Sequence, residues 1–309
     1  MNGFGAFESV ILTIITASTP LLLAAIGELV TERAGVLNLG VEGMMIMGAV
    51  CGFVVAYSSG SATLGVCGGL VAGIAMSLLF AFLTQTLMAS QVATGLSLTL
   101  LGLGLSGMIG ENFTGLPGVK LEALNIPVVS EIPFIGPVFF GHDILVYASL
   151  IITAGVAYVL FRTRAGLIVV AVGGNHHSAH ALGYDVVRVR YACIAFGGAC
   201  SGLAGAYLSL SYTPQWIENM SSGRGWIALA LVVFSTWLPK RVLLGAYLFG
   251  TVWIMGLYVQ GLGVEIPSQL LSSLPYIVTI VALIIISGNK TLATVNTPAC
   301  IGQPFAPER

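Results

Sequence analysis

GMMIMGAVCGFVVAYSSGSATLGVCGGLVAGIAMSLLFAFLTQTLMASQVATGLSLTLLGLGLSGMIG, residues 43–110, runs from Glu42 to Glu111 without one charged side chain. A soluble domain is about one quarter charged, so a run of this length has no place on a wetted surface. About 20 apolar residues span a hydrocarbon core of ~30 Å, and this stretch holds enough for two or more crossings. Outward from it lie further charge-free runs at 9–27, 144–161, 191–217, 225–239, 242–264 and 266–289. Over the whole 309 residues, 57% are hydrophobic and 7% charged, with a mean hydropathy of +0.98. Lipid offers a backbone no hydrogen-bond partners, so the crossings are expected to be helices. The expected fold is an all-α polytopic membrane protein of about 8–10 helices.

Nine apolar segments are predicted, near 9–28, 36–57, 63–86, 91–110, 144–161, 191–211, 225–239, 242–260 and 269–287. The 225–239 segment is short and needs tilt, a bend or snorkelling ends to cross. The positive-inside rule orients the set. Placing residues 162–190 in the cytoplasm puts Arg33, the Lys240–Arg241 pair, Lys290 and Arg309 on the same side, leaving Lys120 and Arg224 outside. The N-terminus is then expected outside and the C-terminus inside. The weak point is 28–45, ELVTERAGVLNLGVEGMM, whose glycines and charges suit a broken or re-entrant helix.

Two spacings describe the packing. Gly65, Gly69 and Gly73 repeat at i, i+4, i+8, as do Gly198, Gly202 and Ala206. Each line lays a flat stripe along one helix face and allows close backbone approach. Five cysteines show no CxxC spacing, and no metal site is expected. A net charge of −1 without a basic stripe speaks against nucleic acid. The first eight residues lack Lys and Arg, which speaks against a cleaved signal peptide.

The polar groups gather in a few places. Residues 162–190, RTRAGLIVVAVGGNHHSAHALGYDVVRVR, hold four of the eleven Lys and Arg and three of the four His. They read either as a short amphipathic helix, capped by Asn175 or Ser178 and ended by Gly183, or as a solvated loop whose arginines anchor topology. His176 and His180 share a helical face, but a metal would want a third ligand. Glu28, Glu32, Arg33, Asn38 and Glu42 form a second cluster. Asn38 and Glu42, at i and i+4, either line a polar path or brace a helix break, with Arg33 as a possible partner for Glu42.

A third cluster holds Gln215, Trp216, Glu218, Asn219, Ser221, Ser222 and Arg224. Aromatic and amide groups suit a sugar or nucleoside ring, although a tryptophan at a headgroup boundary is routine. Gln91, Thr94, Ser97 and Thr99 add uncharged hydrogen-bonding groups within an apolar segment, which favours a neutral polar cargo. The stretch 111–142, broken by four prolines and four glycines, reads as an external loop, with short apolar patches at Ile126–Val129, Phe134–Ile135 and Val138–Phe140. No GxxxxGK[ST] phosphate loop is present, so ATP chemistry is not expected of this chain.

With these residues in view, the chain resembles ABC-importer permeases of the branched-chain amino acid and simple-sugar class, nearest to nucleoside-type permeases that work with basic-membrane-protein lipoproteins. Glu32–Ala49 (ERAGVLNLGVEGMMIMGA), Arg162–Gly183 and Gly223–Gly250 (GRGWIALALVVFSTWLPKRVLLGAYLFG) carry the likeness. It implies a type II importer bundle making up one permease domain over 1–309. It implies no cofactor, and as partners two ATPase subunits, a second permease subunit and an extracytoplasmic solute-binding protein, in the bilayer of a bacterial inner membrane.

The coupling helix of that family falls on Gly174, Asn175, His176, His177, Ala179, His180, Ala181, Leu182 and Gly183. The family commonly has an acidic residue where Gly174 stands and smaller residues at His176 and His177, a departure that points to a specific partner. Asn38, Glu42, Gln91, Thr94, Ser97, Trp216 and Asn219 are the expected path residues. The expected function is a permease subunit for a nucleoside or similar small neutral solute. The alternative is an ATP-independent carrier or facilitator.

Overall fold

A computed structural model describes residues 3–124, 141–261 and 296–306, with scattered positions between 267 and 284. Among the described residues ten α-helices have both ends defined: α1 (Gly3–Arg33), α2 (Val41–Ser59), α3 (Ala62–Ala81), α4 (Gln91–Gly110), α5 (Ile144–Arg162), α6 (Arg164–Gly174), α7 (His176–Ala181), α8 (Val186–Tyr207), α9 (Arg224–Phe234) and α10 (Pro239–Gly261). A π-helical turn extends α3 through Thr86, and another extends α8 through Tyr212. Among the described residues seven helices are long and apolar enough to cross a membrane: α1, α2, α3, α4, α5, α8 and α10.

The expectation for 225–239 needs correction. Its helix α9 has only 11 residues, about 16 Å at 1.5 Å per residue and half of a hydrocarbon core. It stops at Ser235 because Thr236 and Trp237 take left-handed backbone, φ 48° and 53°, a conformation that side-chain-bearing residues adopt at a cost. The segment expected at 36–57 is helical only from Val41, since residues 34–40 are non-helical. The 269–287 segment lies largely outside the described residues, as do Lys290, Arg309 and the apolar patches of the 111–142 loop.

α8 is the axis of the bundle, and glycines decide how close its neighbours come. A Cβ on Gly73 would collide with backbone of Gly198 and Gly202, one on Gly69 with Ala206, and one on Gly48 with Gly202. The two stripes read from the sequence therefore face each other, with α2 wedged against both. In lipid, where apolar side chains gain nothing by leaving the solvent, this dense van der Waals contact is what holds helices together. Polar hydroxyls on these helices return to their own backbone: Thr84 to the Phe80 carbonyl, Ser201 to Gly197 and Thr153 to Ser149.

The register along α8 sets the depth of everything else. Thr31 near the end of α1 bonds the Cys193 carbonyl, and Gly27 lies against Gly197 and Cys200, so α1 and α8 are antiparallel. Gly48 meets Gly202 and Gly52 meets Ala206, so α2 runs parallel to α8 and starts about halfway along it. Residues 34–40 climb that first half as an elbow without helix. One end of the bundle gathers Arg33, Arg190 and the start of α10 with Lys240 and Arg241, and is called the basic end below. At the far end the described parts of 111–142 lie on the exit of α8, through Leu121 N–H to the Leu210 carbonyl (2.9 Å) and Gly118 N–H to the Pro214 carbonyl (3.2 Å).

Candidate functional site

A buried non-helical elbow must find a partner for each of its backbone groups, and the polar residues of this bundle are spent on that task. The Leu37 N–H donates to Gln91 Oε1 (2.8 Å) and the Asn38 N–H to Glu28 Oε1 (3.2 Å). Asn38 Oδ1 accepts from the Gly40 N–H (2.9 Å), and Thr99 Oγ1 donates to the Leu39 carbonyl (3.0 Å). The clasps by Gln91 and Glu28 each leave one polar atom over: among the described residues, Gln91 Nε2 and Glu28 Oε2 are buried without a partner.

Glu42, in the first turn of α2, is 3% exposed and sits where α9 begins. Its Oε1 accepts from Ser221 Oγ (2.6 Å) and the Gly223 N–H (2.8 Å), and its Oε2 from the Gly225 N–H (2.6 Å). The N–H groups at a helix start are unsatisfied and carry partial positive charge, so a carboxylate there is stabilised by both effects. The local sequence permits the approach. Gly223 has φ 81°, and a Cβ on Gly225 would lie 2.6 Å from the Glu42 Cα.

The expected pairing of Glu42 with Arg33 does not occur. Arg33 instead donates through Nε and Nη2 to the Trp237 carbonyl (3.1 and 2.9 Å), and Glu32 Oε2 accepts from the Trp237 indole N–H. Helix breaks inside the bundle expose N–H and carbonyl groups of opposite sign; Glu42 answers two of the N–H groups and Arg33 a carbonyl, while Glu32 holds the Trp237 indole.

The other expected path residues divide. Gln91 and Thr94 are buried on α4 beside the elbow, whereas Ser97 faces outward on the same helix. Trp216 is 1% exposed with its indole against Gly110. It is a core side chain with no face free for stacking, and its neighbours Phe53 and Ile109 belong to the same apolar cluster. Asn219 is exposed at φ 56°, and its carbonyl accepts from the Ser222 N–H and hydroxyl.

Beside Asn219 opens a cavity of about 260 Å³ lined by Tyr212, Thr213, Glu218, Asn219, Ser222 and Arg224. Through Ser222 and Arg224 it adjoins a narrower one of about 110 Å³ between α1, α9 and α10. Arg224 stands between two aromatic rings, 5.2 Å from the Tyr212 centroid and 5.7 Å from that of Trp253, and its Nη1 donates to the Met220 carbonyl (3.0 Å).

The 162–190 island is two helices rather than one. Asn175, extended at φ −154°, breaks α6 from α7 and caps α7 by accepting from the Ser178 N–H (3.0 Å). Gly183, at φ 88°, closes it, with its N–H on the His180 carbonyl and the Tyr184 N–H on that of Ala179, the usual left-handed helix stop. His177, His180, Ala181 and Leu182 face solvent, while His176 and Ala179 are buried. A Cβ on Gly174 would meet nothing within 4 Å, so an acidic side chain fits there freely.

His176 Nδ1 lies 3.2 Å from Arg190 Nη2. A guanidinium has no acceptor, so Nδ1 accepts and the ring is neutral, with its proton on Nε2. Burial first, then the charges of Arg190 and His177, lower its pKa to about 4.

The pairing of Glu42 with Ser221, Gly223 and Gly225, that of Trp237 with Glu32 and Arg33, and the place of Phe305, whose ring packs on the α7 histidines, escaped the reading of the sequence. The glycines flanking Arg224 and the lone aromatic in a polar C-terminal stretch were the available signals.

Crossing helices broken at mid-depth, with buried charges on the breaks and beside them a cavity lined by both polar and apolar side chains, define a membrane transport subunit. Residues 10–287 match the family described as branched-chain amino acid transport system / permease component. The chain is 40% identical over 292 residues to the putative glucose ABC transporter permease protein TsgC13 of Haloferax volcanii, covering 87% of this chain and 88% of that protein. It is 32% identical to the nucleoside ABC transporter permease protein NupC of Lactococcus lactis subsp. cremoris, covering 94% and 95%. To the guanosine ABC transporter permease protein NupQ of Bacillus subtilis it is 30% identical, covering 96% and 97%. No solved structure matches significantly. The chain belongs to this permease family, and is a non-catalytic membrane permease subunit of an ABC uptake system.

Proposed function

We propose that this subunit forms the translocation path for a nucleoside or similar small neutral polar solute in a bacterial inner membrane. The basic end faces the cytoplasm, and one permease domain extends over 1–309. A second permease subunit completes the path. An extracytoplasmic solute-binding protein docks on the outer stretches 111–142 and 212–224, and two ATPase subunits grip residues 174–183 and drive the change of access.

The observation that carries this reading is the pair of helices, α2 and α9, that begin at mid-depth against one carboxylate. Such discontinuous helices mark solute sites in transporters. The cavity beside Asn219 and Arg224 opens next to that junction, and its aromatic, amide and guanidinium groups fit a ring bearing hydrogen-bond acceptors. Asn38, Glu42, Gln91 and Thr99 support the path by holding its breaks closed, and Thr94 lies buried beside them on α4.

Uptake of radiolabelled guanosine and glucose into proteoliposomes containing the assembled complex and ATP tests the proposal. Arg224→Ala should lower guanosine uptake by about tenfold, the worth of one lost charged contact of ~1.4 kcal/mol. Uptake by the purified chain without any ATPase would establish the ATP-independent carrier instead.

A further inference from the structure

Arg190 is fully buried at the start of α8, at 0% exposure, and it is held by four separate segments of the chain. Nε donates to the Ala34 carbonyl (3.2 Å), at the bottom of the elbow. Nη1 donates to Gln85 Oε1 in the π-turn after α3 (3.4 Å) and to the Gln303 carbonyl (3.1 Å). Nη2 donates to His176 on α7. A guanidinium has five N–H donors in a rigid fork, which suits it to join several acceptors at once.

The C-terminal segment 296–306 reinforces the same place. The Cys300 N–H donates to the Gly173 carbonyl (2.9 Å), and the Gly302 N–H to the Gly35 carbonyl (3.2 Å). Phe305, 5% exposed, packs with Val172, Ala179 and Val186. Its ring centroid lies 5.2 Å from that of His176, 5.8 Å from His177 and 5.4 Å from His180. A Cβ on Gly173 would collide with the Arg33 carbonyl, so the end of α6 already touches the end of α1. One face of α7 is thus fastened to the elbow through Arg190 and this segment, while Leu182 at its tip stays 76% exposed.

We propose that Arg190 and the C-terminal segment 296–306 form a joint that transmits displacement of α7 to the elbow at 34–40. The elbow leads directly to Glu42 and the start of α9, so movement at the cytoplasmic face reaches the mid-membrane breaks along a continuous bonded route. Arg190 and Phe305 are positioning residues. The inference rests on the reading of α7 as the element the ATPase grips, and the two are separable by experiment.

Hydrogen exchange of the full-length chain in nanodiscs tests the joint without any ATPase. Phe305→Ala and Arg190→Gln should each speed exchange of the residue 34–40 amides at least tenfold, with Arg190→Lys intermediate. Leu182→Asp, at the exposed tip of α7, should leave that exchange unchanged and instead abolish co-purification of the ATPase. In assembled complexes, Phe305→Ala should retain ATP hydrolysis while solute taken up per ATP falls at least tenfold. Unaltered elbow exchange in Phe305→Ala, or unaltered uptake per ATP, overturns the joint. Retained ATPase binding in Leu182→Asp overturns only the docking role of α7. If Arg190→Gln fails to fold, the Phe305 arm alone decides.

Discussion

Two buried charges hold this permease together at different depths, and they do it with opposite sign. At the middle of the bundle the Glu42 carboxylate gathers a serine hydroxyl and the N–H groups of Gly223 and Gly225. At the basic end the Arg190 guanidinium gathers the carbonyls of Ala34 and Gln303. The anion sits where a helix begins and N–H groups are left over, and the cation where the end of α1 and the 296–306 segment leave carbonyls. Glu42 closes one interior break against another, with every partner on the single stretch 221–225. Arg190 has its partners on four segments, one of them exposed to solvent through α7. The first arrangement suits a brace and the second suits a joint.

The sharpest way to break that contrast is Glu42→Ala. It strands three donors, two of them buried, and the loss should be about 3 kcal/mol or more, seen as a low yield of folded protein and a large fall in Tm in detergent. Glu42→Gln keeps one acceptor and should fall between the two. Folded, stable Glu42→Ala protein that has lost only uptake would make Glu42 a path residue and sink the brace.

A smaller effect comes from the close-packed contact of α2 with α8, beyond Glu42 from Arg190. Gly205→Ala would drive a methyl group into the Met45 carbonyl, and overpacking of this kind costs about 1–3 kcal/mol. Thermal unfolding should report it without change in ATPase binding. No change in Tm would mean that α2 and α8 are looser than their glycines imply.

The smallest effect is a pH dependence confined to the joint. His176 is faced by Arg190, His177 and the Phe305 ring, and its pKa is about 4 when folded, against an ordinary 6.5. Between those values the opened chain binds more protons than the closed one, so stability falls as pH drops through that window and is complete above it. Protection of the amides at residues 300–305, taken relative to the intrinsic exchange rate at each pH, should therefore fall from pH 7 to pH 4.5. His176→Asn, which offers a neutral oxygen near the Nδ1 position, should flatten the response.

Much of the architecture was legible because it depends on local composition. Charge-free runs mark crossings wherever they are long enough, and glycines at i, i+4, i+8 mark a contact face whatever they contact. Asn175 and Gly183 bracket α7 for local reasons too, since an amide caps the first turn and a left-handed glycine ends the last. The 225–239 run misled because hydropathy reports solvent preference and carries no information about where a backbone reverses. The left-handed turn that ends α9 is held from some 200 positions away, by Arg33 and Glu32 on Trp237, and locally by Arg241 on Thr236. Trp216 misled for a related reason. An amphipathic ring beside polar residues looks like a binding platform until Gly110 is seen to receive it.

The amino-acid sequence by itself determined that this chain lives in lipid as a helical bundle, which face of two helices is flat, and where its polar groups gather. These follow from transfer free energies and steric volume, which belong to each residue and its near neighbours. Tertiary structure alone decided which polar group answers which. A lone carboxylate or guanidinium in an apolar interior must find whatever backbone donors or acceptors the broken helices leave unpaired, and those come from parts of the chain that only folding brings together.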